Sequence, residues 1–170
     1  MHLNRQVIGY SWQMAQPRWL DDEERQTWLA LVGVLIRLPA ALDAQLQRDA
    51  DISQFEYQAL AVLSESPDRA MRMSGLAMLA NGSLSRISHV VNRLEKRGWV
   101  TRAPDPVDGR YTLATLTEAG LAKVVDAAPG HVEAVRSLVF DALTKTQVRQ
   151  LRDIGHRVLR AIDPNDDCLE

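Results

Sequence analysis

The sequence predicts a mainly α chain carrying one small β hairpin about two-thirds of the way along. Three observations predict it. Apolar residues recur at three-and-four spacing near both ends; short segments with helix-capping residues fill the middle; and the stretch after Gly98 turns abruptly to Trp, Tyr, Val and Thr around "PDPVDGR". With 170 residues and 46% hydrophobic content, the chain can build one domain with a real core, or two small lobes.

The first helix is expected over residues 21–47. Trp28, Leu31, Val32, Leu35, Leu38, Leu42 and Leu46 form one stripe, and the acids Asp21, Asp22, Glu23 and Glu24 suit a helix N-terminus. Pro39 is expected to kink or divide it. A second helix opens at "SQFE", where Ser53 stands three residues before Glu56 in a capping-box pattern. Ser74 is read as the cap of a short third helix ending near Asn81-Gly82, and Ser83 as the cap of a fourth that ends at Gly98. "WVTRA" and "YTLATL" then form a two-stranded hairpin whose tip is "PDPVDGR". Thr117 starts a fifth helix, expected to break at "APGH". A sixth follows Thr144, with Val148, Leu151, Ile154, Val158 and Ile162 as its apolar line. Three helices followed by such a hairpin make the winged helix-turn-helix plan. The long terminal helices have apolar stripes with no partner in so small a lobe, so they are expected to pack on each other and on a second copy.

Charge is unevenly spread. Residues 69–110 hold eight Lys/Arg against three acids, whereas the remainder holds 12 basic and 19 acidic residues. A basic middle between acidic flanks suits a nucleic-acid-facing module. Within it, "SLSRISHVVNRLEKRG" places Leu84, Ile87, Val90, Val91 and Leu94 on one side of a helix. Ser85, His89, Asn92 and Lys96 fall on the other, flanked by Arg86, Ser88 and Arg93. Glu95 is the only acid there. Short polar groups early let a helix end enter a major groove, while later cations reach phosphates or guanine edges.

The run "DGRYTLATLTEAG" resembles the wing signature of the MarR family of bacterial transcriptional regulators, and "RISHVVNRLEKRGWVTR" resembles that family's recognition helix leading into its first wing strand. The helix order is similar from about residue 20 to residue 162. The resemblance implies a mainly α homodimer. Residues 1–18 lack a clear period and are expected to form an arm; by the resemblance 19–50 would be an N-terminal dimerisation helix, 51–116 the winged lobe with its two-stranded wing and 117–163 the C-terminal dimerisation helices, leaving 164–170 as a tail. It implies double-stranded DNA as partner, with Ser83, Ser85, Arg86, Ser88, His89, Asn92, Arg93 and Lys96 in the major groove. Arg110 at the wing tip would enter the minor groove, with Asp108 anchoring the tip by pairing with a nearby arginine. A repressor acting on a pseudo-palindromic operator is the implied role. The turn at 81–84 carries fewer cations than the family pattern, and Gly75 and Met78 depart from it.

The resemblance also implies release from DNA by a small aromatic or phenolic effector held between the first, second and fifth helices. Trp28, Phe55 and Tyr57 are candidate liners there, with Arg37, Arg48 or Arg72 as carboxylate partners. The peroxide-sensing branch, which uses a cysteine in the first helix, is disfavoured because the one cysteine is Cys168. That count also excludes a disulfide framework and a Cys-rich zinc site. His2, His89, His131 and His156 make no ligand-spaced set, so neither metal nor cofactor is expected. Ser85, His89 and Asp108 lack the elbow and oxyanion loop of a catalytic triad, and an enzyme is not expected. No apolar run approaches the roughly 18 residues of a membrane span and the start has no signal-peptide core, so the expected location is cytoplasmic. The alternative function is a winged-helix dimer kept as a protein-interaction scaffold with weak or no specific DNA binding.

Overall fold

The computed structural model describes residues 17–164, so the expected arm and tail, with Cys168, lie largely outside the described residues. The elements are α1 (Asp22–Ala50), α2 (Gln54–Glu65), β1 (Ala70–Arg72), α3 (Met73–Leu79), α4 (Leu84–Lys96), β2 (Val100–Pro104), β3 (Thr112–Leu116), α5 (Glu118–Val135) and α6 (Lys145–Ile162). The fold is mainly α with a winged helix-turn-helix lobe, as the sequence predicts. The chain divides into two compact units, Met1–Leu35 and Ile36–Glu170.

In the larger unit, Phe55, Leu60 and Leu63 of α2 meet Leu76 of α3, then Ile87, Val91 and Leu94 of α4. Val100 and Leu116 of the sheet and Val124 of α5 close this core. A satellite cluster gathers Leu46, Ala50, Ile52 and Ala127. The capping boxes are formed as the spacing predicts: the Ser53 hydroxyl accepts from the Glu56 N–H while Glu56 accepts from Ser53, and Thr144 with Gln147 repeats the motif on α6. Ser83 caps α4 by accepting from the Arg86 N–H.

Several elements depart from expectation. The wing hairpin belongs to a three-stranded sheet in the order β1-β3-β2. β1 pairs antiparallel with β3, Met71 opposite Ala114, and three residues are too few for alternation to announce a strand. Because α3 begins directly after β1, its N-cap is Arg72, without a side-chain cap bond, and not Ser74. α1 runs through Pro39, and α5 runs through the "APGH" segment. A proline inside a helix costs about 3 kcal/mol. Leu46 and Ala50 beyond Pro39, and Val124 and Ala127 before Pro129, are buried and hold these helices in place. The irregularity falls later, where Arg136–Phe140 widens into a π turn. Leu84, expected on the buried side of α4, is 54% exposed. Being the first helical residue, it precedes the turn that the core grips.

By length and composition α1 is apolar enough to cross a membrane, which a count of consecutive apolar residues does not disclose. It is interrupted by Arg37 and Asp43. In the smaller unit Trp28, Leu29, Leu31, Val34 and Leu35 are exposed, and in the larger one α6 exposes Leu151, Ile154, Val158 and Ile162.

Two glycines set close approaches within the winged lobe. A Cβ at Gly82 would come within 2.5 Å of the Phe55 ring, so the α3–α4 turn sits flat on α2. A Cβ at Gly120 would collide with the Trp99 carbonyl oxygen, which is how α5 lies against the entry to β2.

Candidate nucleic-acid interface

The geometry of α4 follows from its two faces. Ile87, Val90, Val91 and Leu94 are buried, which turns Ser85, Arg86, His89, Asn92, Arg93 and Lys96 outward. Ser88 is half-buried in a cleft between α4 and the wing, and Ser83 is exposed at the cap. The polar residues that the sequence assigns to the DNA-facing side of this helix therefore lie on or beside one face.

Their cations are not equivalent. The Arg86 guanidinium stacks over the Phe55 ring at 3.9 Å from its centre. Such stacking orients the fork while leaving its N–H edge free. Arg93 donates to Glu56 at 2.9 Å. Glu56 is buried, and burial pushes its carboxyl up. The Ser53 N–H, the Arg93 guanidinium and the Ser53 hydroxyl more than offset this and hold it below the ordinary range. Lys96 is exposed and makes no ion pair among the described residues. Glu95 is occupied by Arg102 of β2, which donates at 3.0 Å through Nε and reaches Asn92 Oδ1 at 3.4 Å. The lone acid of α4 is thus neutralised in place.

The wing is held by residues that sequence reasoning missed. Asp105 is 6% exposed. One of its oxygens accepts from the Val107 N–H at 2.8 Å; the other accepts from Arg72 Nε at 2.5 Å. These bonds keep its carboxyl below the usual range, the Val107 N–H contributing most. The Arg72 guanidinium also lies 4.4 Å over the Tyr111 ring. Asp108 pairs with an arginine as expected, but the partner is Arg110 two residues on, at 2.7 Å, and the Arg110 side chain stays 84% exposed. The Arg110 guanidinium lowers the Asp108 carboxyl, and Asp108 in return raises Arg110. Asp108 therefore orders the tip, while Asp105 ties it to β1. The prolines either side of Asp105 in "PDP" were the available signal: an acid pinned between two residues without N–H groups.

The residues expected to form an effector pocket have separate surroundings within each unit. Arg72 is committed to the wing, and Arg48 pairs with its neighbour Asp49. Tyr57 packs against His131, ring centres 4.6 Å apart, and Trp28 lies in a shallow depression of the smaller unit with Leu20 and Leu31. Phe55 instead faces a cleft of about 820 Å³ lined by Pro39, Asp43, Gln54, Gln58, Arg86, His89 and Arg93.

The MarR family model matches residues 52–112, from the start of α2 to the start of β3. The HTH-type transcriptional repressor IacR of Pseudomonas putida is 30% identical over 128 residues, covering 74% of this chain and 71% of that one. The crystal structure of Sco3205, a MarR family transcriptional regulator from Streptomyces coelicolor in complex with DNA, superposes with a TM-score of 0.85 at 43% identity. It covers 89% of this chain and 95% of that one. CouR from Rhodococcus jostii RHA1, solved bound to p-coumaroyl-CoA, matches with a TM-score of 0.65 at 27% identity, over 86% of this chain and 95% of that one.

Proposed function

The chain belongs to the MarR family of transcriptional regulators, and from that premise we propose that it is a cytoplasmic repressor that binds a pseudo-palindromic operator as a homodimer. The observation that carries this reading is α4. Its apolar side is locked into the core, and its outward side presents serines, histidine, asparagine and cations with the single acid already paired. In this reading Ser83, Ser85, Arg86, Ser88, His89 and Asn92 meet base edges or the backbone of the major groove. Arg93 and Lys96 meet phosphates, and Arg110, ordered by Asp108, enters the adjacent minor groove. Sco3205, solved in complex with DNA, supports DNA as the partner.

The exposed apolar line of α6 supports self-association, since Leu151, Ile154, Val158 and Ile162 would otherwise face water along more than three turns. Two lobes about a twofold axis then read half-sites roughly 10 bp apart.

The cleft beside α4 supports release by a small aromatic or phenolic acid. Phe55 offers a ring face, Arg86 and Arg93 offer cations, and Gln54 carries a buried Oε1 without a hydrogen-bond partner. Two of these residues also face DNA in this reading, so an anion held there would compete for the groups that hold the operator. CouR, solved bound to p-coumaroyl-CoA, supports the binding of an aromatic acyl ligand in a family with this fold.

The test is a mobility-shift titration at physiological salt on duplexes selected from a random library. A sequence-specific dimer gives a dissociation constant of about 10 nM or tighter with two protomers per site. Uniform weak binding to every duplex rejects the reading in favour of the interaction scaffold.

A further inference from the structure

We propose that Leu84 is a specificity-determining residue that reads the C5-methyl group of a thymine in each operator half-site. The inference rests on the DNA-binding reading above and adds what α4 recognises there. Leu84 is the first residue of that helix, immediately after the Ser83 cap. In a helix-turn-helix the N-terminal residues of the recognition helix are those that contact base edges. Its side chain is 54% exposed, whereas the other apolar residues of α4 on its supposed side are buried.

Position separates Leu84 from an ordinary exposed leucine. It lines the cleft of about 340 Å³ between α4 and the wing, together with Met73, Ser88, Arg102, Arg110 and Tyr111. That cleft opens between the two elements expected to straddle DNA, and Arg102 and Arg110 on its wall are held by Glu95 and Asp108, which leaves Leu84 as an apolar group exposed at its mouth. Leucine has no donor or acceptor, so it discriminates only through apolar contact. In the major groove the other bases display hydrogen-bonding atoms, and thymine alone adds a methyl group. Ser85 and Ser88 next to it bond to many bases and leave the choice open, so a methyl contact at Leu84 narrows it. A leucine resting on sugar carbons would instead strengthen binding to all sequences alike.

The test replaces each thymine of a library-selected duplex by deoxyuridine, which removes only the methyl group, and measures affinity by fluorescence anisotropy at physiological salt. For the full chain, one thymine per half-site should lose about four-fold on replacement. Leu84→Ala should bind the parent duplex correspondingly less well and show no loss at that thymine, while Leu84→Met should regain sensitivity. Because the side chain is exposed, Leu84→Ala should retain the wild-type melting temperature; a lowered one transfers the decision to the methionine variant. Equal deoxyuridine sensitivity in wild type and both variants, or none in wild type, overturns the assignment while leaving DNA binding intact. Failure to select any duplex overturns both.

Discussion

Arg72 and Asp105, 33 residues apart in sequence, meet at 2.5 Å with the carboxylate buried, and this contact fastens the wing to β1. Arg72 closes the arrangement by lying over Tyr111 on the returning side of the loop. Asp105→Asn should therefore loosen the tip without disturbing α4. We expect roughly ten-fold weaker operator binding, the scale of a charge-assisted hydrogen bond. Hydroxyl-radical footprinting should show protection lost at the minor-groove flanks and kept at the centre of each half-site. Protection lost evenly across the site would reject the clamp.

Glu56 and Asp105 are both held below their ordinary values. Each is more acidic folded than unfolded, so the folded chain binds fewer protons and stability rises with pH through the acid range. For Glu56 the contribution is fully present above its ordinary value of 4.5 and is lost as pH falls through the lowered folded value. Glu56→Gln should lower stability at pH 7 by about 1–3 kcal/mol. It should also lose less than wild type between pH 7 and 3.5. Urea unfolding at the two pH values decides it; parallel losses would mean Glu56 is not the titrating group.

Lys96 and Arg93 both reach outward, yet only Arg93 has a buried carboxylate holding it. Lys96→Ala should reduce the slope of log K against log salt by about one unit. Arg93→Ala should change it by less, because its charge is already partly compensated. Arg86→Ala and Asn92→Ala should instead alter which duplexes a library yields. Equal slopes for wild type and Lys96→Ala would remove that lysine from the phosphate contacts.

Much of this interface was legible in the sequence because helical period and capping are local. Ser53–Glu56, Ser83 and the buried series Ile87, Val90, Val91 and Leu94 could be placed from spacing alone. Contacts that join distant segments could not. Nothing local marks Arg72 as the partner of Asp105, and β1 is too short to reveal its pairing with β3. Leu84 is exposed against expectation because helical phase predicts direction but not where the core ends. Pro39 and Pro129 misled in the other direction: their local penalty is real, and burial elsewhere on each helix outweighs it.

Gly120→Ala should be severe. The added carbon would press on the backbone carbonyl of Trp99, which cannot rotate aside, so α5 must shift from the sheet. We expect about 3 kcal/mol or more of destabilisation, read from a denaturation curve. Gly109→Ala, where no atom lies near the added carbon, is the control and should be close to neutral. Similar curves for both variants would contradict the packing described.

Ile154→Glu would place a charge in the exposed apolar line of α6. Light scattering should show wild type at twice the protomer mass and the variant shifted to single protomers at micromolar concentration. A variant that stays double in mass would locate self-association elsewhere.

Arg102 reaches back from β2 to Glu95 and Asn92, so a single guanidinium braces the wing's first strand to the C-terminal half of α4. Tilting the helix must therefore drag the hairpin along with it. On the proposed reading, with α4 in the major groove and the wing in the minor groove, this brace ties the two contacts to each other.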